Sequence, residues 1–426
     1  MKDLIKPIII YLLTLEAKLV LKKKKPFIIG VTGNLGKTST KDDIYAVMKE
    51  HVHVRRSEKS LNSEFGVPLT ILGEKSGWSS PSKWFMILLR GFFTPWSKVY
   101  PTHLVLEIGA DRPDDIKKIT QWVHPDVVVV TQFGQVPVHV EFFKDRDAVV
   151  REKGYLVEAL KKDGLFIWNA DDHDAREVLI QKTNARKTSI GIHEAADIQA
   201  TNVTTYGNPI EGTQADIVVD GVTHHIALGE VLGKSPMYAA LPALAVAREL
   251  GIPLEVACAS LREADKPKGR MRLLQGMNNS VIIDDTYNAS PKATEHGIET
   301  LGSLDVKRKI AVLGDMLELG QFTRDEHYRI GKIVAQHAHR LIAVGIRSRA
   351  IVEGALDAGM LDENILGFDS SIEAGKALVE MIQPGDAVYM KGSQSVRMEH
   401  AVKMILAETH DPKRVLVRQE KEWAHR

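Results

Sequence analysis

Apolar residues along this chain fall into short runs rich in β-branched side chains, separated by longer stretches with helical spacing. Phe27 to Val31 is the first such run. It stops at a glycine loop, and Lys37 to Glu50 then carries a helical pattern. Runs recur at Leu104 to Leu106, Val127 to Val130 and Leu165 to Trp168, with a helical stretch over Arg146 to Leu160. Runs that do not alternate predict strands covered on both faces, so this half of the chain reads as a parallel α/β unit. Asp197 to Leu228 differs: it alternates, carries Thr and Val, and has turn signals at Gly207-Asn208-Pro209 and Asp220-Gly221. That pattern predicts antiparallel strands at the side of the first unit. Tyr238 to Leu250 reads as a helix ending at Gly251. Beyond Asp265-Lys266-Pro267-Lys268-Gly269 a second series begins: Val281 to Ile283, Ile310 to Leu313, Leu341 to Val344 and Ala387 to Met390. These predict a second open α/β domain. The expected division is residues 1–26, 27–268 and 269–426.

Two segments depart from the strand–helix rhythm. Ile8 to Leu15 is apolar and is followed by the basic cluster Lys22 to Lys25. It is far short of the roughly 20 residues that span a bilayer, and no small-residue cleavage site marks a secretory signal. The segment predicts a helix packed on the protein with solvated lysines; the other reading lays it on an anionic membrane surface. Trp84 to Trp96 is almost wholly apolar and reads as core, with a surface helix or a substrate cover as alternatives.

With 426 residues the chain has room for two or three domains, and its 44% hydrophobic and 26% charged residues are those of a soluble globular protein. A net charge of +1 gives no electrostatic footprint for nucleic acid. The single cysteine, Cys258, excludes an internal disulfide or a cysteine cluster and fits a reducing cytoplasm.

The strongest chemical signal is Thr32-Gly33-Asn34-Leu35-Gly36-Lys37-Thr38, followed by Ser39. Glycines let backbone N–H groups approach a phosphate, the helix start adds a positive dipole end, Lys37 adds charge, and the Thr38 hydroxyl can reach Mg²⁺. The general phosphate-loop spacing asks for glycine where Val31 stands, so this is a variant of it.

Further segments follow in a fixed order: Leu61 to Thr70, Glu107-Ile108-Gly109-Ala110, Asn169-Ala170-Asp171-Asp172, Gly269-Arg270-Met271, Asp284 to Pro291, Leu313 to Gly320, and Lys391-Gly392-Ser393. With the Thr-Gly-x-x-Gly-Lys-Thr loop they resemble the Mur ligase family over residues 27 to 410, and within it the members that add a D-alanyl dipeptide. The resemblance implies a P-loop, ATP-binding central domain with a parallel sheet, followed by a Rossmann-like C-terminal domain. It implies ATP-driven activation of the carboxylate of a UDP-MurNAc-peptide as an acyl phosphate, and joining to D-Ala-D-Ala, by a cytoplasmic monomer with Mg²⁺, two ions being expected. Thr38, Glu107 and His139 are then the metal-side residues, and Lys153 a lysine that carries a carbamate. Lys37 and Arg270 face the phosphates, Asp285 the ribose and Asn169 the adenine side. Asn62, Asn288, Ser290 and Lys391 fall on the substrate side, with Asp315 and Glu318 near the same cleft. Closure of the second domain would bring Arg270 and Asp285 to the ATP.

The chain departs from the family pattern in four places. Only some 26 residues precede the loop, so the domain that holds the UDP-sugar is expected to be missing. Ser235-Pro236 replaces a His-Asn pair, Ser290 an asparagine and Gln394 an arginine. The alternatives are a ligase with another acceptor or carrier, and a nucleotide-binding wall-synthesis partner without turnover.

Overall fold

A computed structural model describes residues 2–58, 61–78, 80–136, 140–420 and 423, with side chains from residue 6 onward. The expected metal-side residue His139 lies outside the described residues.

Ile28 and Ile29 project to opposite faces of β1 (Phe27–Thr32) and both are buried. The same double burial holds for β3 (His103–Glu107), β4 (Val127–Val130) and β5 (Leu165–Asn169). That is why these runs do not alternate. With β2 (Val54–Arg56), β6 (Arg186–Gly191), β7 (Ile198–Tyr206), β8 (Gly212–Val219) and β9 (Val222–Gly229) they form one nine-stranded sheet, ordered β2-β3-β1-β4-β5-β6-β7-β8-β9. Neighbours are parallel as far as β7, and β7-β8-β9 continue antiparallel. The alternating segment thus widens the main sheet.

Ten of the described helices pack on or beside the first sheet and the site it carries. α1 (Lys2–Lys24), α3 (Gly66–Leu72), α4 (Pro81–Phe93), α5 (Asp115–Thr120) and α6 (Arg146–Glu158) cover one face of the first sheet. α2 (Lys37–Met48), α8 (Lys234–Glu249) and α9 (Leu254–Glu263) cover the other, and α7 (His173–Glu177) follows β5. α10 (Pro291–Ser303) belongs to the second unit.

The second sheet contains β10 (Arg272–Gln275), β11 (Val281–Asp284), β12 (Arg308–Gly314), β13 (Arg340–Val344), β14 (Ile365–Phe368) and β15 (Asp386–Lys391), in the order β10-β11-β15-β12-β13-β14. All neighbours are parallel except β10 with β11. Its entry is bonded to the first unit: Leu232 N–H donates to Met271 O at 3.1 Å, Leu273 N–H to Glu230 O at 2.9 Å, and Val231 bridges Arg272.

The expectation of core for Trp84 to Trp96 is overturned. Only Ile87 and Gly91 of α4 are buried, four residues apart on one stripe. Phe85, Met86, Leu89, Phe92 and Phe93, with Trp96 just beyond, are exposed. One helical stripe packs and the others face outward; composition alone hid the difference. Among its described side chains, α1 likewise buries only Leu13, Ala17 and Val20.

Candidate functional site

Parallel neighbours end at one edge, so β1, β3 and β5 deliver Thr32, Glu107 and Asn169 to the same side of the first sheet. Gly33 (φ 133°) and Gly36 (φ 80°) turn the chain there into α2. At Gly33 only glycine fits, because a Cβ would lie 2.1 Å from Thr131 Oγ1. Gly36 caps α2 without a side-chain acceptor, so the first-turn N–H groups of Lys37, Thr38 and Ser39 keep their anion-binding capacity. Asn34 and Leu35 contribute less than expected: both their N–H groups donate to Gln132 O, at 2.7 and 3.0 Å.

Lys37 Nζ donates to Gly33 O at 2.9 Å and Asn34 O at 3.3 Å, curling over its own loop. Burial holds its pKa below the ordinary lysine value, Glu107 opposes this, and Arg270 adds to it. Lys153, on α6, is 3% exposed. Burial first and the Lys37 charge second push its pKa down to about 7. Its neighbour Glu152 is structural, since its carboxylate accepts from Asp114, Ile116 and Lys117 N–H and so ties α6 to the start of α5.

Glu107 stands opposite these cations. Thr38 Oγ1 donates to its Oε2 at 3.0 Å, Asn62 Nδ2 to its Oε1 at 3.1 Å, and Lys41 Nζ lies 3.8 Å away. A carboxylate and a hydroxyl side by side are the hard oxygen donors that suit Mg²⁺. No group of three His, Cys, Asp or Glu side chains forms a cation cage among the described residues.

The second unit supplies the other wall. Arg270 stacks its guanidinium 4.1 Å from the Tyr287 ring centre, and its buried Nε has no hydrogen-bond partner among the described residues. Asn34 Nδ2, across the same space, is also buried without one. Asp285 is engaged by its own domain: Lys391 Nζ pairs with Oδ2, Tyr389 OH donates to Oδ2 at 3.3 Å, and Met271 N–H donates to Oδ1 at 3.2 Å. Lys391 also donates to Asn288 O at 2.8 Å. Burial lowers the Lys391 pKa, with the Asp285 charge opposing.

Two adjoining cavities result. Leu35, Ser39, Asn169, Asp285, Ser290 and Lys391 line the first. Lys37, Thr38, Asn62, Glu107 and Lys153 line the second. Asn34, Gly36, Arg270 and Asn288 belong to both. The second, about 820 Å³, is large enough for a nucleotide-sized ligand. Thr32 and Gly33 lie beneath the loop and shape it. Ser290 holds the N-cap position of α10 but makes no capping bond. Asp315 does not face the cleft; it accepts from Ser348 N–H at 2.9 Å inside the second unit.

Some lining residues went unforeseen. Asp43, in the first cavity, is buried and its carboxyl is pushed up to about 7 by desolvation; its spacing of four from Ser39 on α2 was the available signal. Tyr238 OH donates to Asp171 at 2.8 Å, which holds the β5 loop against α8. Arg397, in the second cavity, pairs with Glu399 at 2.6 Å, and nothing local in the sequence marks it.

Against known proteins, residues 87–247 match the model described as Mur ligase middle domain, and residues 269–394 the one described as Mur ligase, glutamate ligase domain. A curated relative from Mycobacterium leprae, named UDP-N-acetylmuramoyl-tripeptide--D-alanyl-D-alanine ligase, is 30% identical over 399 residues, covering 87% of this chain and 71% of its own. A Bacillus subtilis protein of the same name is 27% identical, with 92% and 78% covered. The crystal structure of MurF from Acinetobacter baumannii superposes with a TM-score of 0.76 at 25% identity, covering 92% of this chain and 79% of that one. The MurF ligase of Thermotoga maritima, solved with ADP, gives 0.75 at 24% identity, with 92% and 83% covered, and shares the fold. From the loop at the end of β1 to the last strand of the second sheet, this chain belongs to the Mur ligase family.

Proposed function

We propose that this chain is an ATP-dependent amide-bond ligase of peptidoglycan precursor synthesis, which activates the carboxylate of a UDP-MurNAc-peptide and joins it to D-Ala-D-Ala. The observation that carries this reading is the convergence of Lys37, Lys153 and Arg270 on one space, with Thr38 and Glu107 opposite. Burial and the other nearby cations lower the pKa of both amines. Such a site gains most when a polyanion enters it, because the anion restores the charged lysine.

The first turn of α2 and Lys37 bind the phosphates, and Lys37 exchanges its loop carbonyls for phosphate oxygens. Arg270 aims its unpartnered Nε at the same charge, so the triphosphate is held from both domains. Asn169 and Asp285 bound the nucleoside side, and Asn62, Asn288, Ser290 and Lys391 the side of the joining substrates. The carboxylate oxygen of the peptide attacks the terminal phosphorus and ADP leaves. The amine of the dipeptide then attacks the acyl carbon, phosphate departs and the amide remains. Positioning and charge neutralisation carry most of such a transfer. Thr38 and Glu107, with His139, are the proposed holders of Mg²⁺, which when bound neutralises phosphate charge. We assign two ions and a carbamate on Lys153; an amine with a pKa of about 7 is about half neutral at pH 7, and the neutral amine is what adds to carbon dioxide. The enzyme is proposed to act as a cytoplasmic monomer, peripheral to the inner face of the membrane, without nucleic acid.

The test supplies ATP, Mg²⁺, UDP-MurNAc-tripeptide and D-Ala-D-Ala. Phosphate release that requires both the peptide and the dipeptide, with the amide product found by mass spectrometry, is expected. Phosphate release that ignores the dipeptide would overturn this reading.

A further inference from the structure

Two helices remote from the loop remain unexplained by ligation. α1 and α4 lie side by side and run in the same direction. Lys6 and Trp84 both approach Phe65 near one end, Glu16 meets Gly91 midway, and Lys23 lies 4.3 Å from the Trp96 ring centre at the other. Each helix buries one stripe in the first unit and leaves another in the open. On α1 the open stripe is Ile8, Tyr11, Leu12, Leu15 and Leu19; on α4 it is Phe85, Met86, Leu89, Phe92 and Phe93. Ten exposed large apolar side chains on two neighbouring helices form a patch that a freely solvated surface rarely carries.

Charge decides what covers it. Residues 1–25 carry seven lysines against two acids, while the whole chain has a net charge of only +1. Lys18, Lys22, Lys23 and Lys25 are exposed beside the apolar stripes. Of the acids facing this pair of helices, Glu16 is turned inward between them, its Oε2 buried, and Glu74 is held by Arg90. Apolar side chains rimmed by lysines, with aromatic rings among them, are complementary to an anionic bilayer: rings and aliphatic chains enter the acyl boundary and ammonium groups meet phosphates. No described helix is long and apolar enough to cross a membrane, so the contact lies in the interface plane. We infer that the paired exposed faces of α1 and α4 dock this protein on an anionic lipid surface.

The experiment is cosedimentation of the full chain with phosphatidylglycerol–phosphatidylcholine vesicles and with pure phosphatidylcholine vesicles. At least tenfold stronger binding to the anionic vesicles, weakened by raised salt, is expected. Phe92→Glu with Phe93→Glu should reduce it tenfold or more, while ATP binding by calorimetry in solution stays unchanged and reports an intact fold. Both side chains are exposed and distant from the loop, so this outcome is independent of which acceptor the enzyme joins. No binding to anionic vesicles overturns the inference. So does binding that the double substitution leaves intact, or a dimer that the substitution dissolves in protein that ignores vesicles.

Discussion

Lys153 allows the reasoning about the cleft to be tested by stability before any substrate is added. Its ammonium form is buried, close enough to Lys37 to be repelled, and its pKa falls from 10.5 to about 7. The sign follows from linkage. A base whose folded pKa is lowered binds its proton less tightly when folded, so the fold is penalised at low pH and relieved as pH rises from the folded value towards 10.5. At about 1.36 kcal/mol per pKa unit the penalty is about 5 kcal/mol at pH 6 and about 2 kcal/mol at pH 9, so about 3 kcal/mol returns across that range. Lys153→Met keeps the chain length and removes the charge. The variant should therefore be more stable than the parent, and by more at pH 6 than at pH 9. For a unit of this size the difference between the two pH values corresponds to about 6–12 °C in the melting temperature of the first transition. The assay is calorimetric melting of both proteins, without nucleotide and in carbon dioxide-free buffer, at pH 6, 7.5 and 9. Parallel pH curves for the two proteins would refute the claim that this amine is buried and destabilised. The same variant should lose ligation, since the group proposed to carry the carbamate is gone.

The remaining predictions concern the loop, the acidic side and the α1–α4 contact. Lys37→Ala removes the charge that α2 presents to the phosphates, and phosphate release should fall by about 10²–10³-fold; activity above a tenth of the parent's would contradict the assignment. Glu107→Gln keeps a group of the same size beside Thr38 and Asn62 but removes the negative charge, so a magnesium titration should show the half-saturating concentration rising about tenfold or more. Glu16, its Oε2 buried between α1 and α4 with no hydrogen-bond partner among the described residues, has its pKa raised from 4.5 to about 7 by burial. A raised acid penalises the fold as pH climbs through that interval, so Glu16→Gln should stabilise by about 1–2 kcal/mol at pH 8, discounted for partial exposure, and by almost nothing at pH 4.5. Urea unfolding at both pH values checks it.

How much of this was legible in the sequence depended on whether the signal was local. β1, the glycine turn and α2 are contiguous, and each part has its own rule: doubly buried apolar residues, positive φ at Gly33 and Gly36, a basic residue at the helix start. The meeting of Asn62 with Glu107 spans 45 positions, and no periodicity encodes it; the resemblance to a family supplied those residues, and the parallel pairing of β2 with β3 brings the segment after β2 beside the end of β3. Asp285, expected to face the ribose, lines the first cavity, and its oxygens also hold Lys391 and the entry to the second domain, a use that depends on the pairing of β11 with β15. α4 misled because composition was weighed above spacing. Buried Ile87 and Gly91 stand four apart, and so do exposed Phe85 and Leu89; a chain of almost uniform hydrophobicity does not say which stripe meets the sheet.

The backbone bonds from Glu230 to Leu273 and from Leu232 to Met271 limit how the two lobes can move relative to one another. A chain stitched there cannot swing as a loose tether; it can only rock about that line, as a door does about its jamb. Arg270 sits one residue from the stitching and would travel least, keeping its aim at the loop through the whole cycle. The grip on the phosphates is thus set beside the axis of that rocking.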